Sequence, residues 1–145
     1  MNSDDPFDLT RFVRAQDGMF DIALSEIKRG RKRSHWMWYI FPQLRGLGHS
    51  AMAMHYGITG MDEARAYLKH ELLGPRLKSI CEAVLAVEGK SAIDIFDEPD
   101  DLKLRSCSTL FGQVPEADSI FLRIIERYFD GKCDQRTIEL LGHHR

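Results

Sequence analysis

Cysteine is scarce in this 145-residue chain, and the three present (Cys81, Cys107 and Cys133) lie far apart with no CxxC pair. An odd number at such spacing excludes a closed disulfide framework and a zinc knuckle, and it fits reduced thiols in a cytoplasmic protein. Long apolar runs are also missing: none nears the roughly 18–20 residues that a membrane-spanning helix needs. The opening residues, MNSDDPFDLT, are acidic and lack the apolar core of a secretory leader, so a cytoplasmic location and no membrane contact are expected. Neither charge dominates, since the formal net charge is −2, which argues against nucleic-acid binding through overall charge. No GxGxxG loop, HExxH pair or GxSxG elbow occurs. Nothing therefore indicates a cofactor, a metal or an activated serine.

What is present is the composition of a globular domain, 43% hydrophobic and 29% charged. Such a length is one domain, residues 1–145, burying roughly two-thirds of its unfolded surface. The first ~5 and last ~4 residues are expected to be loose. Charge is unevenly placed. Lys28, Arg29, Arg31, Lys32 and Arg33 form a basic run, and Asp94, Asp97, Glu98, Asp100 and Asp101 an acidic one. Directly after the basic run come Trp36-Met37-Trp38-Tyr39-Ile40-Phe41, which hold both tryptophans of the protein. The apolar stretch must be buried, while the cations beside it must stay wet or find an anion. Such a junction can wall a pocket and give it a positive rim.

Helical periodicity dominates the rest. Phe20, Ala23, Leu24 and Ile27 make a stripe within 17–29, with Gly30 as its stop. Leu77, Ile80, Cys81, Val84 and Leu85 repeat it within 75–88 behind Pro75, and Glu88-Gly89 closes it. Phe121, Ile124, Ile125, Tyr128 and Phe129 do so within 117–129, ending at Asp130-Gly131. Shorter helices are expected at 8–15, 61–72, 91–96, 100–111 and 134–141, the last capped by Asp134. The window 35–41 reads as a buried helical turn, because no other β-rich run exists to pair with it, and Pro42 ends it. A glycine-bearing loop follows at 42–49. The expected fold is an all-α single domain of about seven to nine mostly short helices in irregular packing.

The strings GRKRSHWMWYIFPQLRGLGHS (30–50), YGI (56–58), EARAYLKHELLGPRL (63–77), DDLKLRSCSTLF (100–111) and YFDGKCDQRT (128–137) resemble a bacterial family. It is known as the domain of unknown function numbered eighteen-ten, and the resemblance runs from about Asp5 to Gly142. It implies a mainly helical single domain, in agreement with the periodicity, and brings no established chemistry. Some members carry the label calpastatin, a long chain of disordered character that this core composition does not match.

Two constellations carry the functional reading. In the first, Lys32 forms a cationic rim, Trp36 a wall or a ring for stacking, and His35 an acid–base group near neutrality. Gln43, on the loop after Pro42, offers an amide that can both donate and accept. In the second, Lys103-Leu104-Arg105-Ser106-Cys107-Ser108-Thr109 sets two cations among three hydroxyls, the groups that suit a phosphate or carboxylate. If 100–111 is helical, Leu104, Cys107, Leu110 and Phe111 face inward. The bland alternative has the hydroxyls bonding back to their own helix and the cations pairing with the acidic segment 97–101. Arg76 follows Gly74-Pro75 in a helix's first turn, where the dipole disfavours a cation unless it is paired. Glu63, Glu71 or a ligand are its candidate partners. Together Lys32, Trp36, Gln43, Arg76, Lys103, Arg105, Ser106 and Ser108 would bind an anionic small molecule, with His35 as the catalytic group if there is turnover. A module that binds a protein partner through the basic and acidic runs is the alternative. Nucleic-acid binding through 28–33 ranks third.

Overall fold

The computed structural model describes residues 5–143, so the loose ends expected of the chain fall for the most part outside the described residues. Ten helices account for nearly all the regular structure there. They are α1 (Thr10–Gln16), α2 (Met19–Lys28), α3 (Met37–Ile40), α4 (Ala51–Tyr56) and α5 (Met61–Lys69), then α6 (Leu73–Ala86), α7 (Ala92–Phe96), α8 (Asp100–Gly112), α9 (Ile120–Phe129) and α10 (Gln135–His143). The fold is all-α, and extended pairing among the described residues is confined to one parallel bridge between Leu44 and Ile58.

Local chemistry sets the helix ends. Gly30 takes φ +84, a left-handed value that ends α2. Ser91 and Asp94 cap α7 reciprocally. Asp134 starts α10 by accepting from the N–H and hydroxyl of Thr137. α6 departs from expectation at both ends. It begins at Leu73, so Pro75 stands third, still within the turn where its missing N–H costs nothing. It stops at Ala86, short of Glu88-Gly89, where Val87 turns extended and Arg127 reaches across from α9 to donate to the carbonyls of Leu85 and Val87.

α4 is a helix that periodicity does not announce. None of its residues is buried, and Met52 and Met54 are exposed. It has no apolar stripe to register, and its start is set by Ser50 Oγ accepting from Ala53 N at 3.1 Å. The window 35–41 is helical only over Met37–Ile40. Phe41 leaves the helix ahead of Pro42, its ring 6.1 Å from Trp36 and 5.7 Å edge-on to Phe96.

α6 and α8 bury more residues than any other helix. The inward face expected of α8, namely Leu104, Cys107, Leu110 and Phe111, is buried. α8 packs against α5, α7, α9 and α10, and α6 against α2, α5 and α9. Tyr67 of α5 sits between them, 5.2 Å from both Phe12 and Phe111. Each fully buried aromatic or aliphatic side chain here contributes about 1.5–3 kcal/mol.

The tightest joint is where α6 begins against the end of α5. A Cβ on Gly74 would lie 2.1 Å from the carbonyl oxygen of Leu68. Gly74→Ala should therefore push the two helices apart and cost about 3 kcal/mol, the upper part of the overpacking range. Urea unfolding would read this as a lower midpoint; an unchanged midpoint would mean the joint is slack.

Candidate functional site

The site begins at a carboxylate that the sequence does not single out. Glu26 stands in the last turn of α2, where the helix dipole disfavours an acid, and it is only 8% exposed. Four donors hold it. Its Oε1 accepts from the N–H groups of Arg33 at 2.8 Å and Ser34 at 2.9 Å, and from Trp36 Nε1 at 2.9 Å. Its Oε2 accepts from Ser34 Oγ at 2.6 Å. Burial alone would raise its pKa, but these bonds outweigh burial and hold it at about 2. Segment 31–36, which has no helix of its own, is thereby fastened back onto α2, and Trp36 is fully buried.

The fastened segment delivers Lys32 to the start of α8. Lys32 N donates to Ile95 O at 2.7 Å, and its ammonium lies 2.9 Å from Asp100 Oδ2 and 5.1 Å from the centre of the Trp36 ring. Lys103, one turn into α8, lies 3.2 Å from Asp100 Oδ1 and 4.7 Å from the centre of the Trp38 ring. Two lysines thus share one carboxylate, each over an indole face, with the Lys32 side chain only 8% exposed. Counting these three groups, one positive charge is left over. Beside them Arg31 pairs with Asp97 at 2.9 Å and donates to Asp94 O. The basic and acidic runs therefore meet each other, and the pairing of Lys103 with Asp100 is the one named in the bland alternative.

His35 is exposed, between the bonded Ser34 and the buried Trp36. Gln43 is half-buried and lines, with Trp38, Leu44 and Tyr56, a cavity of about 10 Å³, room for about one water.

The other candidates are engaged elsewhere. Arg76 finds neither Glu63 nor Glu71. It donates to Gln16 Oε1 at 3.2 Å and lies over Phe20, while Gln16 Nε2 donates to Tyr39 O and Tyr67 Oη. Glu63 is taken by Arg11 at 2.7 Å and by Thr59. Arg105 donates to the carbonyls of Lys132 and Cys133 and so ties α8 to the α9–α10 turn. Ser106 Oγ bonds back to Leu102 O at 3.1 Å, and Ser108 Oγ is buried with no partner among the described residues.

Burial pushes the thiols of Cys81 and Cys107 up, which keeps them protonated and unreactive. Among the described residues no group of His, Cys, Asp and Glu side chains is arranged to hold a metal ion, and no helix is long and apolar enough to cross a membrane.

The protein is an all-α domain with a lysine–indole cluster at the junction of α2, α3 and α8. Residues 6–141 match the model of a family described as "Protein of unknown function (DUF1810)", and the chain belongs to that family. Among solved structures it is similar to the conserved hypothetical protein Rv1873 from Mycobacterium tuberculosis. The likeness has 50% identity and a TM-score of 0.93, and covers 95% of this chain and 99% of that one. No curated protein matches it.

A carboxylate held near 2 in the fold, against an ordinary value near 4.5, contributes on the order of 3 kcal/mol at neutral pH. Its folded-state pKa is depressed, so that stability is complete above about pH 4.5 and drains away as pH falls towards 2. Glu26→Gln should lower the melting temperature at pH 7 and flatten its decline between those pH values. Equal acid slopes for variant and wild type would contradict the assignment.

Proposed function

We propose that this protein binds a small anionic molecule of the nucleotide or phosphorylated-metabolite class at Lys32 and Lys103. The observation that carries the reading is the shared carboxylate: two ammonium groups 71 positions apart in sequence converge on Asp100 and keep one uncompensated charge. Partial burial weakens the screening of that charge by solvent and salt. An anionic group would join or displace Asp100 between the lysines. Trp38, half-buried beneath Lys103, offers a face for a ring, and Gln43 on the same wall offers an amide. His35 is the acid–base group such a site would use if it catalyses a reaction. Three free cysteines accord with a cytoplasmic setting. Arg76, Arg105, Ser106 and Ser108 have structural partners or lie in the core and take no part in this reading. The partner-binding alternative loses support because the complementary runs are taken up by each other. Lys28, Arg29 and Arg33 stay exposed at the end of α2, where cations favour the helix terminus without any ligand.

Asp100→Asn separates the proposal from a purely structural triad. Thermal unfolding would be followed against nucleotides, dinucleotides, sugar phosphates and dicarboxylates. A probe at about 100 times its Kd adds about 2.7 kcal/mol, several degrees for a domain of this size. A phosphorylated probe should raise the melting temperature of the wild type, raise that of Asp100→Asn further, and fail with Lys103→Ala. If no probe stabilises either the wild type or Asp100→Asn, the lysines serve the fold alone.

A further inference from the structure

The joint at Gly74 has a second consequence on the outer surface. Because α6 starts hard against the end of α5, the two helices and the turn before α9 enclose a groove of about 460 Å³, within the range of small-molecule sites. Leu68, Pro75, Ala117 and Phe121 supply its apolar lining. Its rim is charged and nearly balanced. Arg65 Nε binds Glu116 Oε1 at 2.7 Å on one side, and Lys78 Nζ binds Asp118 Oδ2 at 3.1 Å on the other. Asp118 is held further by the N–H of Ile120 at 2.9 Å. Each rim acid thus has its own cation. Lys69, the third rim cation, is exposed and makes no ion pair among the described residues. An apolar trough with one surplus ammonium at its edge matches a molecule with an apolar body and a single negative charge. A dianionic phosphate would need a second uncommitted cation, and a sugar phosphate has no apolar surface to match the trough.

We propose that this groove binds a medium-chain carboxylic acid, with its chain on Leu68, Ala117 and Phe121 and its carboxylate on Lys69. The site shares no residue with the lysine–indole cluster and stands or falls independently of it. Gly74 and Pro75, the start of the GPRL segment at 74–77, line the groove.

The test is titration calorimetry of the full chain with decanoate below its micellar concentration, beside decanol and decylammonium. Decanoate should bind saturably at one site, and decylammonium should not. Decanol should bind about fivefold more weakly, the size expected for one exposed ion pair. Lys69→Glu, a surface change that leaves the core alone, should weaken decanoate at least tenfold. Ala117→Trp, which fills the trough, should abolish binding while circular dichroism confirms the helices. Sedimentation of the same samples reports whether the groove instead seats a second copy. The proposal is overturned by no saturable uptake, by equal binding of decylammonium, by affinity indifferent to Lys69→Glu, or by a dimer that Ala117→Trp breaks.

Discussion

One buried carboxylate, Glu26, organises the most unusual stretch of the chain. A glutamate in the last turn of a helix and away from water is unfavourable on two counts, the dipole and desolvation. Both are offset because the chain turns at Gly30 and brings back two N–H groups, a hydroxyl and an indole N–H to the same two oxygens. The order of Arg33–Trp36 rests on that collar. With Trp36 seated, Phe41 and Phe96 follow in an aromatic chain, and Lys32 points to Asp100 across the Trp36 ring. The collar joins the fold to the proposed site, since Lys32, the side chain proposed to meet an anion, is placed by a carboxylate that would repel one.

Electrostatics elsewhere follows the same economy. Cations are answered close by: Arg31 by Asp97, Lys32 and Lys103 by Asp100, and Arg11 by Glu63. Arginines without an acid partner are used on carbonyls, Arg105 on the turn before α10 and Arg127 on the end of α6. Exposed pairs of this kind contribute little each, and the Arg11–Glu63 pair would be costly to break because its carboxylate would be left buried. A net charge near zero here comes from nearly equal numbers of the two signs, 20 Lys and Arg against 22 Asp and Glu, many of them paired within the fold. What distinguishes the Asp100 cluster is that its count is uneven in a sheltered place.

Helices with an apolar stripe were legible in the sequence, α2, α6 and α9 above all and α8 as a shorter candidate, because burial on one face imposes a spacing of three and four. α4 was not, since only Ala53 and Tyr56 turn partly inward, too few to leave a stripe. The far end of α6 is met by an arginine from another helix, a contact that no local pattern contains. Of the site, Lys32 and Trp36 were legible as a junction of charge and aromatics, and Lys103 as a cation whose bland partner is the acidic segment 97–101. Arg76 was legible as an unusual cation, but its partner Gln16 was not, because two polar residues 60 positions apart leave no mutual signal. Glu26 left only a faint one, an acid on the inner side of an apolar stripe at the wrong end of a helix.

The claim that Glu26 fastens segment 33–36 is tested most directly by hydrogen exchange at the Trp36 indole N–H and the Ser34 amide. If the collar is part of the global fold, both should exchange only through whole-molecule unfolding, at the same free energy as core amides of α8 such as Leu110. Exchange through local opening, orders of magnitude faster than Leu110 and as fast at Trp36 as at the half-buried Trp38, would contradict it.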